Sequence, residues 1–265
     1  MPIINQVVQG GGTMPTGTIT ITNNGITDVT NYASADVQVP TTAPALYREF
    51  ELDANGKLVA NTTTTHIMDF TGVKIISYSY MFGSMYENNT NISGAVNMSD
   101  LTTISGQYAC ASMFLNCAGI TSANLSALTT LSGQYACNNM FAGCTGLTSG
   151  NLSSLTTLSG NNVCFSMFSG CRGLTSIDMS ALTTITGSNA CYSMFSSCTS
   201  LATVYIGGTT AIDFGTRTNQ FGYMFSGCTQ NIDVYAPAAS QASIEALSGY
   251  PNFGGPGTVT WHWRS

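Results

Sequence analysis

The chain has 265 residues, enough to bury a sizeable core in one large domain or two modest ones. Only 7% of them are Asp, Glu, Lys or Arg, and six basic residues stand against twelve acidic ones for a net charge of −6. With no basic run the counterion-release term that drives nucleic-acid binding is missing, and no apolar run reaches the roughly 18 residues of a membrane span. Neither nucleic acid nor membrane insertion is expected.

The first 14 residues are Gly-rich and uncharged, and Met1 to Gly12 lack the basic and long apolar stretches of a secretory signal peptide. Their apolar pairs Ile3-Ile4 and Val7-Val8 are expected to dock on a partner's sheet edge. Residues 15–40 alternate β-branched and polar side chains around Asn24-Gly25, a hairpin signal. This β module is too small to bury much alone, so other copies or another protein should cover it. Residues 41–74 hold a Pro-containing linker and a second hairpin, Tyr47 to Leu52 with Lys57 to Val59, expected as an N-terminal cap.

From residue 75 to 236 the chain repeats. Met113-Phe114, Met140-Phe141, Met167-Phe168 and Met194-Phe195 follow at intervals of 27 residues, a period that signifies a solenoid. Four close units begin at Leu101, Leu128, Leu155 and Leu182, and degenerate copies around Met81-Phe82 and Met224-Phe225 bring the count to about six. Leu174 to Met179 alternates apolar and polar residues, which predicts a half-buried strand stacked in parallel on its neighbours. Leu182 to Ile185 predicts a second short ladder. Between these lie Cys191, Met194, Phe195 and Cys198, whose i, i+3, i+4, i+7 spacing predicts two helical turns.

Nine cysteines, eight of them in four within-unit pairs on that apolar face and the ninth at Cys228, read as buried thiols acting as small hydrophobes. Disulfides between adjacent coils are an alternative, since equivalent positions would sit about 5 Å apart. A metal site is a weaker one, because neither His66 nor His262 has a neighbour at zinc spacing. No metal and no cofactor are expected.

Residues 237–265 predict a C-terminal cap, with a short helix over Ser240 to Leu247 and a final strand over Thr258 to Trp263. Trp261 and Trp263 share one face of that strand and should close the core, with a sugar-stacking platform as the alternative. His262 points the other way and is expected to be exposed.

Several positions vary between otherwise like coils: Gln107 and Tyr108, Gln134 and Tyr135, Asn161 and Asn162, Ser188 and Asn189. Beside them Ala111, Asn138, Phe165 and Tyr192 form a further varying column. A fixed scaffold with a changing surface is the layout of a recognition face, and Tyr, Asn and Gln suit carbohydrate through stacking and neutral hydrogen bonds. An ordinary solvated column is the plainer reading. No G-x-S-x-G, H-E-x-x-H, P-loop or Cys-His arrangement is present, so catalysis is not expected.

The segment Met167-Phe168-Ser169-Gly170-Cys171-Arg172-Gly173-Leu174-Thr175-Ser176-Ile177 resembles the BspA-like leucine-rich repeat surface proteins, in a Met-Phe form. The resemblance implies a mainly β fold with short helical turns: a right-handed leucine-rich-repeat-type solenoid with a parallel β ladder, behind a small N-terminal β module. It also implies an adhesin. Residues 15–40, with Gly17-Thr18-Ile19-Thr20-Ile21-Thr22-Asn23-Asn24-Gly25 and Asp28-Val29, resemble a short module of phage and prophage virion proteins.

Together the resemblances imply a phage protein on the virion surface, assembled in the host cytoplasm. Its N-terminal segment would hold it to other virion proteins, as a homo-oligomer with a trimer favoured, and its repeats would meet a host-surface or mucus glycan or protein. A purely structural capsid or tail decoration, and an adhesin on the bacterial cell surface, are the other readings.

Overall fold

The computed structural model describes residue 70 and residues 74–77, 79, 82–90, 92–217 and 219–265, together with the backbone of six short strands before residue 61. Four of those strands, β1 (Ile3–Ile4), β2 (Thr20–Thr22), β3 (Gly25–Asp28) and β4 (Val37–Gln38), form a sheet in the order β1-β4-β2-β3. β2 and β3 pair antiparallel with Ile21 opposite Ile26, the hairpin that Asn24-Gly25 signals. Ile3 and Ile4 pair with Gln38 and Val37 of their own chain, as an edge strand. Val7 and Val8 lie outside the described residues. β5 (Phe50–Leu52) and β6 (Leu58–Ala60) pair antiparallel as the second hairpin.

The rest is a solenoid with two parallel ladders. The shorter contains β7 (Ile75–Ile76), β9 (Thr103–Ile104), β11 (Thr130–Leu131), β13 (Thr157–Leu158) and β15 (Thr184–Ile185). The longer has seven strands in chain order: β8 (Ser93–Asn97), β10 (Gly119–Asn124), β12 (Ser149–Asn151), β14 (Ser176–Met179), β16 (Thr203–Ile206), β17 (Ile232–Pro237) and β18 (Val259–Arg264). Register follows the repeat, with Ser176 beside Thr203 and Ile177 beside Val204. As the alternation predicts, Ile177 and Met179 are buried while Ser176 and Asp178 are exposed.

Every coil sends the same residue types inward. Leu101, Leu128, Leu155 and Leu182 are fully buried, and so are the four Met-Phe pairs. The phenylalanines stack along the axis, with centroids 5.2 Å apart from Phe114 to Phe141, 5.6 Å from Phe141 to Phe168 and 6.0 Å from Phe168 to Phe195. Each such side chain stabilises the fold by about 1.5–3 kcal/mol through burial. The core is therefore a column, and each coil depends on the next to close it.

The segment between the ladders is not helical. In the coil beginning at Leu101, the N–H groups of Ala109, Ala111, Met113, Leu115 and Cys117 each donate three residues back, to Gly106, Tyr108, Cys110, Ser112 and Phe114. The intervening N–H groups of Tyr108, Cys110, Ser112, Phe114 and Asn116 donate to carbonyls of the next coil, at Gln134, Ala136, Asn138, Met140 and Ala142. The chain is thus a ribbon of linked turns, with backbone donors used alternately within and between coils. Its residues Tyr108, Ser112 and Asn116 take positive φ of 53°, 54° and 61°. A helix would spend its interior N–H groups within the segment; this ribbon uses half of them to join coils. The predicted helical turns over Cys191 to Cys198 are corrected accordingly. Buried side chains fall in adjacent pairs every four residues, and over two turns that pattern coincides with a helical stripe.

All nine cysteines are free and buried, so the bridged alternative is not what the coils adopt. The first of each pair packs wholly among apolar side chains. The second donates its thiol one coil back, from Cys144 to Phe114 O at 3.1 Å and from Cys198 to Phe168 O at 3.0 Å. Burial pushes the thiols of Cys137 and Cys191 up to about 12.

Beyond β15 the shorter ladder continues only as a single parallel bridge from Thr184 to Asp213, and the side chain of Gln220 serves the carbonyls left over there. Its Nε2 donates to Ile185 O at 3.2 Å and to Phe214 O at 2.8 Å. A 3-10 turn at Ala238–Ser240 leads into the one helix of the described residues, α1 (Gln241–Glu245). β18 then lies along β17. Trp261 and Trp263 stand opposite Val234 and Ala236, on the inner face, and pack against the core with centroids 5.6 Å apart. Trp261 Nε1 donates to Pro251 O at 3.1 Å. These tryptophans close the column. His262 faces outward as expected, yet it is not simply solvated: it stacks on Tyr235 at 4.6 Å and its Nε2 meets Asp233 Oδ1 at 2.8 Å.

Candidate binding face on the turn ribbon

The ribbon positions its side chains by its own period of four. With residues 109, 110, 113, 114 and 117 turned into the core, residues 107, 108, 111, 112, 115 and 116 are left partly or fully exposed. Because successive coils are bonded at this segment, equivalent outward residues stack into columns, and a sequence difference between coils becomes a step in a continuous surface.

Three adjacent columns hold all twelve varying residues, four in each. In the first, Gln107 Nε2 approaches Gln134 Oε1 at 3.5 Å, and Asn161 Oδ1 accepts the Ser188 N–H at 3.0 Å. In the second, Tyr108 and Tyr135 stack at 4.8 Å and within 4° of parallel. Below them the column changes to amides: Asn219 Nδ2 donates to Asn189 Oδ1 at 2.6 Å, and Asn189 Nδ2 donates to Asn162 Oδ1 at 3.2 Å. In the third, Phe165 and Tyr192 stack at 5.1 Å and within 6°.

Two ribbon residues were not singled out by sequence, Asn219 and Tyr223. Met194 and Met224 are 30 residues apart rather than 27, so a strict repeat offset misplaces both. Tyr223 lies 5.4 Å from Tyr192, tilted by 54°. Asn219 extends the amide column by one coil, and Tyr223, at the position equivalent to Ser193, lies against the end of the aromatic column.

The stacking limits what the columns can do. Parallel rings at about 5 Å turn their faces on each other, so a ligand meets ring edges, phenol hydroxyls and amides except where a ring leaves the stack. These three columns contain no charged residue among the described residues; the exposed Glu87 lies on the ribbon in the column of Leu115, and the exposed Arg217 stands two residues before Asn219. The cysteine thiols beneath are buried and held in the protonated form.

A second group of side chains lies on the outer face of the longer ladder. Asn97, Asn124, Asn151 and Asp178 occupy equivalent strand ends, and each accepts from the N–H two residues on, at Ser99, Ser126, Ser153 and Ser180. At the next rung Tyr205 takes that place and stacks on Tyr235 at 5.0 Å. The Arg264 guanidinium lies 5.6 Å from the Tyr205 ring centre and donates to Gly207 O. Reaching back two strands, this arginine ties β18 to the sheet. Among the described residues, no three His, Cys, Asp or Glu side chains gather as a metal site, and no helix is long and apolar enough to cross a membrane.

No protein-family model matches this sequence, and no curated protein matches it either. A solved leucine-rich repeat protein from Bacteroides ovatus is similar in structure, with a TM-score of 0.34 and 22% sequence identity over 75% of this chain. The chain spans 44% of the length of that protein.

Proposed function

We propose that this chain is a non-catalytic adhesion protein, carried on a phage virion, whose turn ribbon meets a glycan or protein of the host surface or mucus. The observation that carries the reading is the contrast inside each coil. Leu, Met, Phe and Cys recur unchanged at the buried ribbon positions, while the outward columns run from Gln to Asn to Ser, from Tyr to Asn, and from Ala through Asn to Phe and Tyr. Packing demands account for the first set and not for the second. The virion placement rests on the resemblance of residues 15–40 to modules of virion proteins. The three strands of these residues, with Ile3–Ile4 as a fourth on the edge of their sheet, are the part proposed to hold other virion proteins and further copies of the chain.

The nearly uncharged surface fits this role, since neutral hydrogen bonds hold over a wide range of salt whereas ionic ones are screened within about 10 Å at 0.1 M. Particles lacking the chain should adsorb less well to host cells or to mucus. Adsorption unchanged, with particles that fall apart more readily, would point instead to a purely structural decoration.

A further inference from the structure

We infer that the ligand of the ribbon is an uncharged glycan, bound at the C-terminal end of the columns by Tyr192, Tyr223, Asn189 and Asn219. The inference rests on the adhesion reading and goes further in naming a place and a chemistry.

The place follows from where the aromatic column opens. Tyr108 and Tyr135 lie parallel at 4.8 Å, as do Phe165 and Tyr192 at 5.1 Å, so their facing surfaces are covered. Tyr223 breaks the pattern: it is tilted 54° to Tyr192 and is 58% exposed. Gly222 makes this possible. A Cβ there would meet Cδ2 and Cε2 of Tyr192 at 2.7 Å, so the missing side chain lets the Tyr192 ring lie directly over the next coil.

Position 223 also departs from the repeat. The equivalent residues are Ser112, Asn139, Ser166 and Ser193, small polar residues suited to the positive φ they adopt. Tyr223 adopts φ of 52° as well; it lies against Tyr192 and beside Gly254, yet stays largely open to solvent, more than those contacts alone require of a large aromatic.

The chemistry follows from the neighbours. The Asn189 and Asn219 amides point their donors one way along the axis, toward Asn162 and Asn189, which leaves Asn219 Oδ1 as an acceptor at the Tyr223 end. An open aromatic ring beside an amide, with no charged residue in the columns, matches the apolar C–H face and the hydroxyls of a neutral sugar. An anionic ligand would find no countercharge within these columns, the exposed Arg217 flanking Asn219 in sequence and lying outside them, and the salt series separates the two cases.

The purified chain is applied to an array of neutral and sialylated mucin-type glycans, and to intact host cells, at 0.1 M and 0.5 M salt. Binding to neutral glycans that persists at 0.5 M, with Kd raised about tenfold or more by Tyr223→Ala or Asn219→Ala and unchanged by Thr121→Ala at an exposed position of β10 off the ribbon, is the expected result. Thermal unfolding of each variant shows that the coils are intact. Glycan binding insensitive to Tyr223→Ala, or adhesion to cells with no neutral glycan bound, overturns this inference and leaves the adhesion reading standing. Failure to bind cells, mucus or glycan overturns both.

Discussion

Cys171 Sγ donates to the carbonyl oxygen of Phe141 at 3.1 Å, one coil back along the solenoid. That carbonyl also accepts the Cys144 N–H of its own coil at 3.1 Å. The same thiol contact recurs from Cys144, Cys198 and Cys228, so each coil is sewn to the last through a group that a reading by hydrophobicity alone treats as filler.

Stability should fall at high pH through these buried thiols. Burial lifts Cys137, Cys144 and Cys191 from 9.0 to about 12, whereas the unfolded chain ionises near the ordinary value. A folded-state value raised in this way gives stability that is whole below about pH 9 and lost as the pH climbs toward 12. Urea midpoints measured between about pH 8 and pH 10.5 should drop, and less steeply in a Cys137→Ala/Cys191→Ala variant. In the same samples a thiol reagent should label no cysteine before unfolding and all nine after it.

Glycines of the repeat should differ sharply in tolerance. A Cβ on Gly160 would lie 2.4 Å from Gly133 O in the coil before, a backbone atom that cannot step aside. Gly170 meets nothing closer than 3.6 Å and has only its φ of 73° against a side chain. Gly170→Ala should cost roughly 1–2 kcal/mol for the left-handed backbone. Gly160→Ala should cost more, about 3 kcal/mol or above, because it forces two coils apart. Chemical denaturation of the two variants compares them directly; equal losses would mean that the coils are not in this contact.

Gln220→Leu should destabilise the C-terminal coils by about 1–3 kcal/mol, since the carbonyls of Ile185 and Phe214 would lose a buried donor. Hydrogen exchange should show the loss near β15 and β16 first, with Met113 to Phe141 protected as before. A uniform loss along the chain would indicate that the coils unfold only together.

Much of this architecture is legible in the sequence because burial recurs. The 27-residue spacing of Met113, Met140, Met167 and Met194, and the alternation from Ser176 to Met179, fix the coil and its strand. The turn ribbon is legible only in retrospect. Apolar residues at 110, 113, 114 and 117 satisfy a period of 3.6 as well as one of four, and eight residues are too few to separate them. The distinguishing signal is the set of residues that tolerate positive φ, such as Asn116, Gly143 and Gly170 at one site and Ser112, Asn139 and Ser166 at another. Gln220 left no trace, because its role is to supply a donor where a distant ladder ends. Asn219 and Tyr223 were hidden by the three-residue lengthening of their coil, while Gln107, Tyr108, Asn162 and Tyr192 were found because they vary where the core does not.

The claim that a constant scaffold carries a separable binding surface is tested most directly by giving one coil the outward residues of another. Ser188→Gln/Asn189→Tyr/Tyr192→Ala installs the columns of Gln107, Tyr108 and Ala111 at backbone positions of like conformation, with φ of 52° at Asn189 against 53° at Tyr108. Adhesion of this variant to host cells or mucus, measured beside its unfolding midpoint, should be lost while its stability stays within about 1 kcal/mol of the parent. Adhesion retained by the stable variant would contradict the account.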